Sequence, residues 1–443
     1  MFSSLKHSAA ANLRAIAAIA TLSIRAAIRS RMAMMLLIAL AAGVFGLPRL
    51  MIGNASAAGA MQVQLRYTLM FAGAVLGMAT LWASAAALGA EVDNRRFELT
   101  AVKPVRPLVL WLGRWLGILL LDALLLTAVM LTVRVQLGVN ATALPASRAV
   151  ARPVLLSPED EARRVFENLH RNGQLPDNMS SNAVMRQLIR ECGNRYEVVR
   201  PAEKINWQFH LSQPVPADGR LWLRMRFDTD ALALADVHGV CRLRQSGATT
   251  WATEKPVNDL VRNALEIQLT TPALAGANDL EAEFDNLAPT GAAPILVQSR
   301  REVFLLTPEG TFDGNLLRVL LAFLAILAAL AALGLTLGAC FSFPVAAFIA
   351  TVLTLVVVVS DDVLDETDPC HVAFVDRISA AVVHGAQSAT KPLLAPEPLS
   401  QTVEGERVPT PELRRMLLWG VVIYPAALAW IACVVLRRRE LVR

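Results

Sequence analysis

Residues 108–133 read LVLWLGRWLGILLLDALLLTAVMLTV, and only Arg114 and Asp122 in this run carry charge. A helix rises 1.5 Å per residue, so about 20 apolar residues cross the ~30 Å hydrocarbon core of a bilayer. Backbone N–H and C=O groups find no water there and must bond within the segment, so the block is read as a helix. Working outward, comparable blocks stand at Met32–Leu47, Tyr67–Ala90, Leu316–Cys340, Val345–Ser360 and Met416–Leu436. They predict about six spans, of which the first and fifth are short and need a turn from their flanks. Composition agrees: 55% of the 443 residues are hydrophobic and 18% charged, against about 45–50% and roughly 25% in soluble proteins.

Lysine and arginine set the expected orientation. Lys6, Arg14, Arg25, Arg29 and Arg31 precede the first span; Arg95, Arg96, Lys103 and Arg106 lie between the second and third; Arg437, Arg438, Arg439 and Arg443 follow the last. An even number of spans puts these groups on one side, read as the cytoplasm of a bacterial inner membrane with both termini inside. The acidic run Asp361, Asp362, Asp365, Glu366 and Asp368 suits the outside; Arg414 and Arg415 run against the rule, but beside a long loop. The net charge of +5 sits at the ends of apolar blocks, so no nucleic-acid partner is expected. A competing reading makes Met32–Leu47 a signal-peptide core with Ala55-Ser56-Ala57 as the cleavage site. The roughly 30 residues before it are too long for an n-region. They are also patterned: Leu13, Ile16, Ile19 and Ile24 fall toward one helical face and Arg14, Arg25 and Arg29 on another, as suits a membrane surface.

Residues 137–312 contain no spanning block. Pro145, Pro153 and Pro158 mark a linker, and Ser157-Pro158-Glu159-Asp160 reads as an N-cap, a first-turn proline and first-turn acids. A helix should follow, ended by Gly173 and Pro176, with a second over Ser181–Glu191. From Ile205 the period changes to two, predicting strands near 207–211, 221–227, 240–243, 264–269, 280–284, 295–297 and 302–306. The fold class expected is a polytopic α-helical membrane protein with an extracytoplasmic α+β domain containing a β-sandwich. Trp207, Phe209, Trp222, Phe227 and Phe284 are read as its core anchors, the rival being a ligand-stacking surface.

The chain has no Gly-Lys pair and therefore no Walker loop, and no G-x-S-x-G, H-E-x-x-H or C-x-x-C. No catalytic residues, resident metal or cofactor are expected. Cys192 and Cys241 lie in the polar domain, where an oxidising compartment would permit a disulfide, or both are unpaired thiols. Asp122 inside the third span marks either a functional site or a hydrogen-bonded helix contact. The acidic run from Asp361 with His371 is either a divalent-cation loop or a solvated turn.

Three stretches together resemble the membrane subunits of type-2 ATP-binding-cassette exporters. An amphipathic basic elbow, Ile24-Arg25-Ala26-Ala27-Ile28-Arg29-Ser30-Arg31, precedes the first span. A loop from Glu91 ends in Leu99-Thr100, two residues, then Lys103-Pro104-Val105-Arg106, and Gly113-Arg114 opens the third span where the family often has Gly-Lys. The Ser342-Phe343-Pro344 hairpin also fits. The resemblance covers the spans and their loops, not the outer domain. It implies an elbow helix over 1–31, spans over 32–136, 313–360 and 416–443, and an outer loop over 361–415. It also implies that loop 91–107 couples to a separate cytoplasmic ATPase through Glu91, Arg95, Arg96, Phe97, Glu98, Lys103, Pro104 and Arg106. A second membrane subunit, identical or related, and the lipid bilayer are the other partners implied. The alternative is a non-transporting anchor whose outer β-domain binds a partner or envelope polymer.

Overall fold

The computed structural model describes the chain except at positions 1, 30, 51–56, 94–105, 139–146, 173, 176–180, 230–235, 262–263, 364–400, 402, 404 and 442–443. It divides into two compact units: residues 1–145 with 311–443, and residues 146–310. The first is helical: α1 (Phe2–Arg29), α2 (Arg31–Leu50), α3 (Ala57–Asp93), α4 (Pro107–Gly138), α7 (Phe312–Cys340) and α8 (Phe343–Val363). The last helix, α9, consists of Thr410–Leu417, a π turn over Leu418–Ile423 and Tyr424–Leu441.

Among the described residues four helical stretches are long and apolar enough to cross a membrane: Gln62–Gly89, Pro107–Leu137, Phe312–Cys340 and Thr410–Arg438. A fifth follows if Asn12–Arg29 and Met34–Leu47, bent by 71°, count as one span. This fits a multi-pass membrane protein, with four or five of the about six expected spans meeting the length and composition test among the described residues. The first and fifth blocks are the short ones, as expected: Met34–Leu47 qualifies only with α1, and Phe343–Val356 of α8 is a shorter apolar stretch.

Lipid offers helices no hydrophobic reason to associate, so close backbone approach through small residues has to hold them. On α7 a Cβ at Gly334 would overlap the Ser84 hydroxyl of α3, and one at Gly338 the Ala85 carbonyl. Gly89 of α3 lies close to α8 but less tightly, where a Cβ would stand 3.0 Å from the Phe343 backbone. Around this contact the side chains form two layers. One joins Leu125–Leu137 of α4 to Leu316–Leu327 of α7 and Leu413 and Met416 of α9. The other joins Trp111, Trp115 and Ile118 of α4 to Ala328–Ala339 of α7 and Ala429–Leu436 of α9. The start of α4 therefore lies level with the end of α9, and the two run antiparallel. The apolar face of α1 rests on α4: Ile19 stands 2.7 Å from where a Gly113 Cβ would be, and the Ala20 carbonyl 2.8 Å from a Gly117 Cβ. Of the face expected at the membrane surface, Ile16, Ile19 and Ile24 are half-buried, while Leu13 stays exposed along with Arg14, Arg25 and Arg29.

The second unit opens with β1 (Arg148–Ala151) and two helices, α5 (Pro158–Arg171) and α6 (Ser181–Gly193). Ser157 caps α5 by accepting from the Asp160 N–H. The strands are β2 (Glu197–Val199), β3 (Lys204–His210), β4 (Arg220–Arg226), β5 (Asp236–Gln245), β6 (Thr253–Leu260), β7 (Ala264–Thr270), β8 (Asp279–Asn286), β9 (Ile295–Val297) and β10 (Val303–Pro308). They form two four-stranded antiparallel sheets, β1-β10-β4-β7 and β3-β8-β5-β6, and a β2-β9 pair. One core takes inward residues from both large sheets, among them Leu221, Leu223 and Met225 from one and Trp207, Phe209 and Phe284 from the other. Trp222 is not among them. Successive strand residues point to opposite faces, so with Leu221 and Leu223 inside, Trp222 faces out beneath the Arg148 guanidinium, 5.2 Å from its ring centroid.

Arg148 has a side chain only 6% exposed and is paired with Glu266, which also binds Arg224 at 3.1 Å. Burial pushes the Glu266 carboxyl up, but Arg148 and Arg224 outweigh it and hold it below its usual value. A depressed carboxylate pKa contributes stability above the unfolded value and loses it as pH falls through the folded one. Glu266→Gln should therefore cost ~1–2 kcal/mol at neutral pH and flatten the acid dependence of thermal unfolding below about pH 4.3. An unchanged acid limb would contradict the assignment. Separately, Gly334→Leu should cost at least ~1–3 kcal/mol in unfolding of the detergent-purified chain followed by tryptophan fluorescence. Gly46→Leu, where a Cβ meets nothing within 4 Å, should be silent; equal effects would refute the close contact.

Candidate functional site

The buried seam of α4 runs Trp111, Trp115, Ile118, Asp122, Leu125 and Val129, the alternating three- and four-residue spacing that keeps one helical face inward. Asp122 is 15 residues from each end of the Pro107–Leu137 stretch, roughly 22 Å at the helical rise, and is 5% exposed. The hydroxyl of Thr80 on α3, itself 2% exposed, is the polar group that acts on it. No hydrogen bond of normal geometry joins them, because Asp122 Oδ2 and Thr80 Oγ1 are both buried without a partner. Thr68 Oγ1 and Trp111 Nε1, on the same two helices, are also unpartnered. Trp115 by contrast donates from Nε1 to the Ala328 carbonyl of α7 at 2.9 Å.

Buried polar atoms are nearly always paired, and each intramembrane acid is expensive. The Asp122 carboxyl and the Thr80 hydroxyl thus form a small buried polar pair midway along an apolar span. What it can offer is hydrogen-bond acceptance and negative charge in an apolar wall.

Toward the start of α4, Arg114 is 8% exposed and its guanidinium donates to the Ala87 carbonyl of α3. Glu91 lies in the last turn of the α3 backbone, and Arg106 is exposed just before Pro107. Arg95, Arg96, Phe97, Glu98, Lys103 and Pro104 lie outside the described residues, as do Asp365, Glu366, Asp368 and His371 of the acidic loop. The segment 94–105 thus joins two helices that Arg114 ties together. The contacts of Arg114 and Thr80 were not legible in sequence. The available signal was a polar set, Thr68, Thr80 and Ser84, inside an otherwise apolar block.

Cys192 and Cys241 are both free and buried, which corrects the disulfide reading. Cys192 belongs to the small core of α5 and α6, and Cys241 to the shared core of the two sheets. Burial pushes both thiols up, away from the reactive thiolate. Among the described residues no three His, Cys, Asp or Glu side chains gather as metal ligands. Scanned against protein-family models the chain finds no match, and comparisons with curated proteins and with solved structures find none either.

Replacing an unpartnered buried polar group with an apolar one is neutral or stabilising. Asp122→Leu should leave the melting temperature of the purified protein unchanged or raised. A loss of several kcal/mol would mean that the carboxylate is held by partners and serves packing.

Proposed function

We propose that the chain is the permease subunit of an exporter, driven by a separate cytoplasmic ATP-binding-cassette ATPase and paired with a second membrane subunit, identical or related. The observation that carries this reading is the unpartnered Asp122 and Thr80 between α3 and α4, the two helices that leave the ends of segment 94–105. Arg114 ties those helices together near that segment. A push on 94–105 by a nucleotide-driven partner would move both helices together, carrying the Asp122–Thr80 pair against the rest of the bundle. An anchor needs no such carboxyl, since each intramembrane acid raises the cost of insertion.

In this reading α1, segment 94–105 and the Arg437–Arg439 end lie in the cytoplasm, and residues 146–310 lie on the far side. The ATPase docks on Glu91, Arg95, Arg96, Phe97, Glu98, Lys103, Pro104 and Arg106, and substrate leaves outward past Asp122. The chain's own part is to hold the pathway and relay the push; hydrolysis belongs to the partner.

The test is a reversal of charge, Lys103→Glu with Arg106→Glu. The variant should insert normally and lose export on the order of tenfold or more, the usual scale of coupling between sites, with ATP hydrolysis no longer responding to the permease. Asp122→Asn should lower export while leaving recovery of the ATPase in affinity purification intact. Normal export by the double variant would remove the docking assignment, and consistent absence of an ATPase from purified complexes would favour the anchor.

A further inference from the structure

Proline cannot donate a backbone hydrogen bond, and its ring crowds the carbonyl four residues back. Pro425 lies within α9, and the chain before it widens into the π turn over Leu418–Ile423, where the Tyr424 N–H donates to the carbonyl of Trp419 five residues back. Single π turns inside helices are frequent at functional sites. Here the widened turn borders a groove of about 560 Å³ between α4 and α9. Its walls are mostly apolar. Leu112 and Trp115 come from α4, and small residues, Pro425, Ala426 and Ala429, hollow out α9. The groove reaches from Val421 to Arg437, about 24 Å at the helical rise. Its rim carries outward-facing apolar side chains: Trp430 is 70% exposed, Val422 55% and Leu108 47%.

Both walls belong to membrane-length helices, so the open side faces hydrocarbon. An empty hollow there would leave its lining without dispersion partners. The lining holds a single charged residue, Arg437, at the end level with Leu108. Arg106, exposed two residues before Leu108, stands at that same end, as do Arg438 and Arg439. The groove is thus greasy along its length and cationic at one mouth. We infer that the groove binds an anionic phospholipid, with an acyl chain along the α9 hollow and the phosphate at Arg437. A guanidinium forms paired hydrogen bonds to phosphate oxygens, and basic groups beside a span attract anionic headgroups. A helix of a second copy would bring no charge to this mouth unless it carried an acid there. The inference stands whether or not the chain transports.

The test is native mass spectrometry of the purified full chain in mixed micelles holding equal phosphatidylglycerol and phosphatidylcholine. The intact chain should retain phosphatidylglycerol preferentially. Arg437→Gln, at an exposed position, should reduce that preference on the order of fivefold, the scale of one juxtamembrane cation. Ala426→Phe, which fills the hollow from an exposed position, should reduce retention of both lipids while the melting temperature holds. Equal retention of the two lipids by the intact chain, or an Arg437→Gln variant with undiminished preference, would overturn the assignment. So would a dimer that Ala426→Phe dissociates without changing lipid retention, since the groove would then belong to a second copy. Inorganic phosphate added at millimolar concentration should not displace the lipid; displacement would show that the site reads free anion rather than lipid.

Discussion

The backbones of α3 and α7 touch where Gly334 and Gly338 meet Ser84 and Ala85. In water such a contact would be one among many holding a core. In lipid, where burying leucine gains little, it is the interaction that fixes the bundle. The alanine-rich face of α7, with Ala322, Ala325, Ala328, Ala331 and Ala332 buried, extends the same principle along the helix. With α3 and α7 fixed, the long side chains of α4 and α9 fill the two layers beside them.

Polar contacts are distributed unevenly over that bundle. At one end Arg114 reaches the Ala87 carbonyl. At the other, Gln136 accepts from Gln64 and donates to the Val44 carbonyl, each at 3.2 Å, and Arg134 pairs with Asp313. Asn315 and Arg318 of α7 bind the backbone at Glu406 and Val408. Midway between these fastened ends sits Asp122, with one oxygen free.

Much of this was readable in advance because the signals are periodic and local. Apolar runs announce spans, and Ser157-Pro158 announces the start of α5. Alternation from 205 onward announced most of the strands. The failures have physical causes. Trp222 was placed in the core for its position in a strand-period run, although its odd–even relation to Leu221 and Leu223 puts it outside. β6 was missed because Thr253–Leu260 carries Glu254, Lys255 and Pro256, residues tolerated on an edge strand. Gly113-Arg114 was read for its charge, whereas Gly113 makes room for Ile19 and Arg114 ties two helices. Asp122 stood out as a lone acid, but Thr80, 42 positions earlier, is brought to it only by the fold.

The account depends on the bundle threading the membrane so that segment 94–105 and the chain end share one face and residues 146–310 occupy the other. The direct measurement is labelling of single cysteines by a membrane-impermeant maleimide, in a chain whose five native cysteines are serine. Asp218→Cys should react in spheroplasts, whereas Phe97→Cys and Arg438→Cys should react only after permeabilisation. Labelling of positions 97 and 218 from the same side would contradict it.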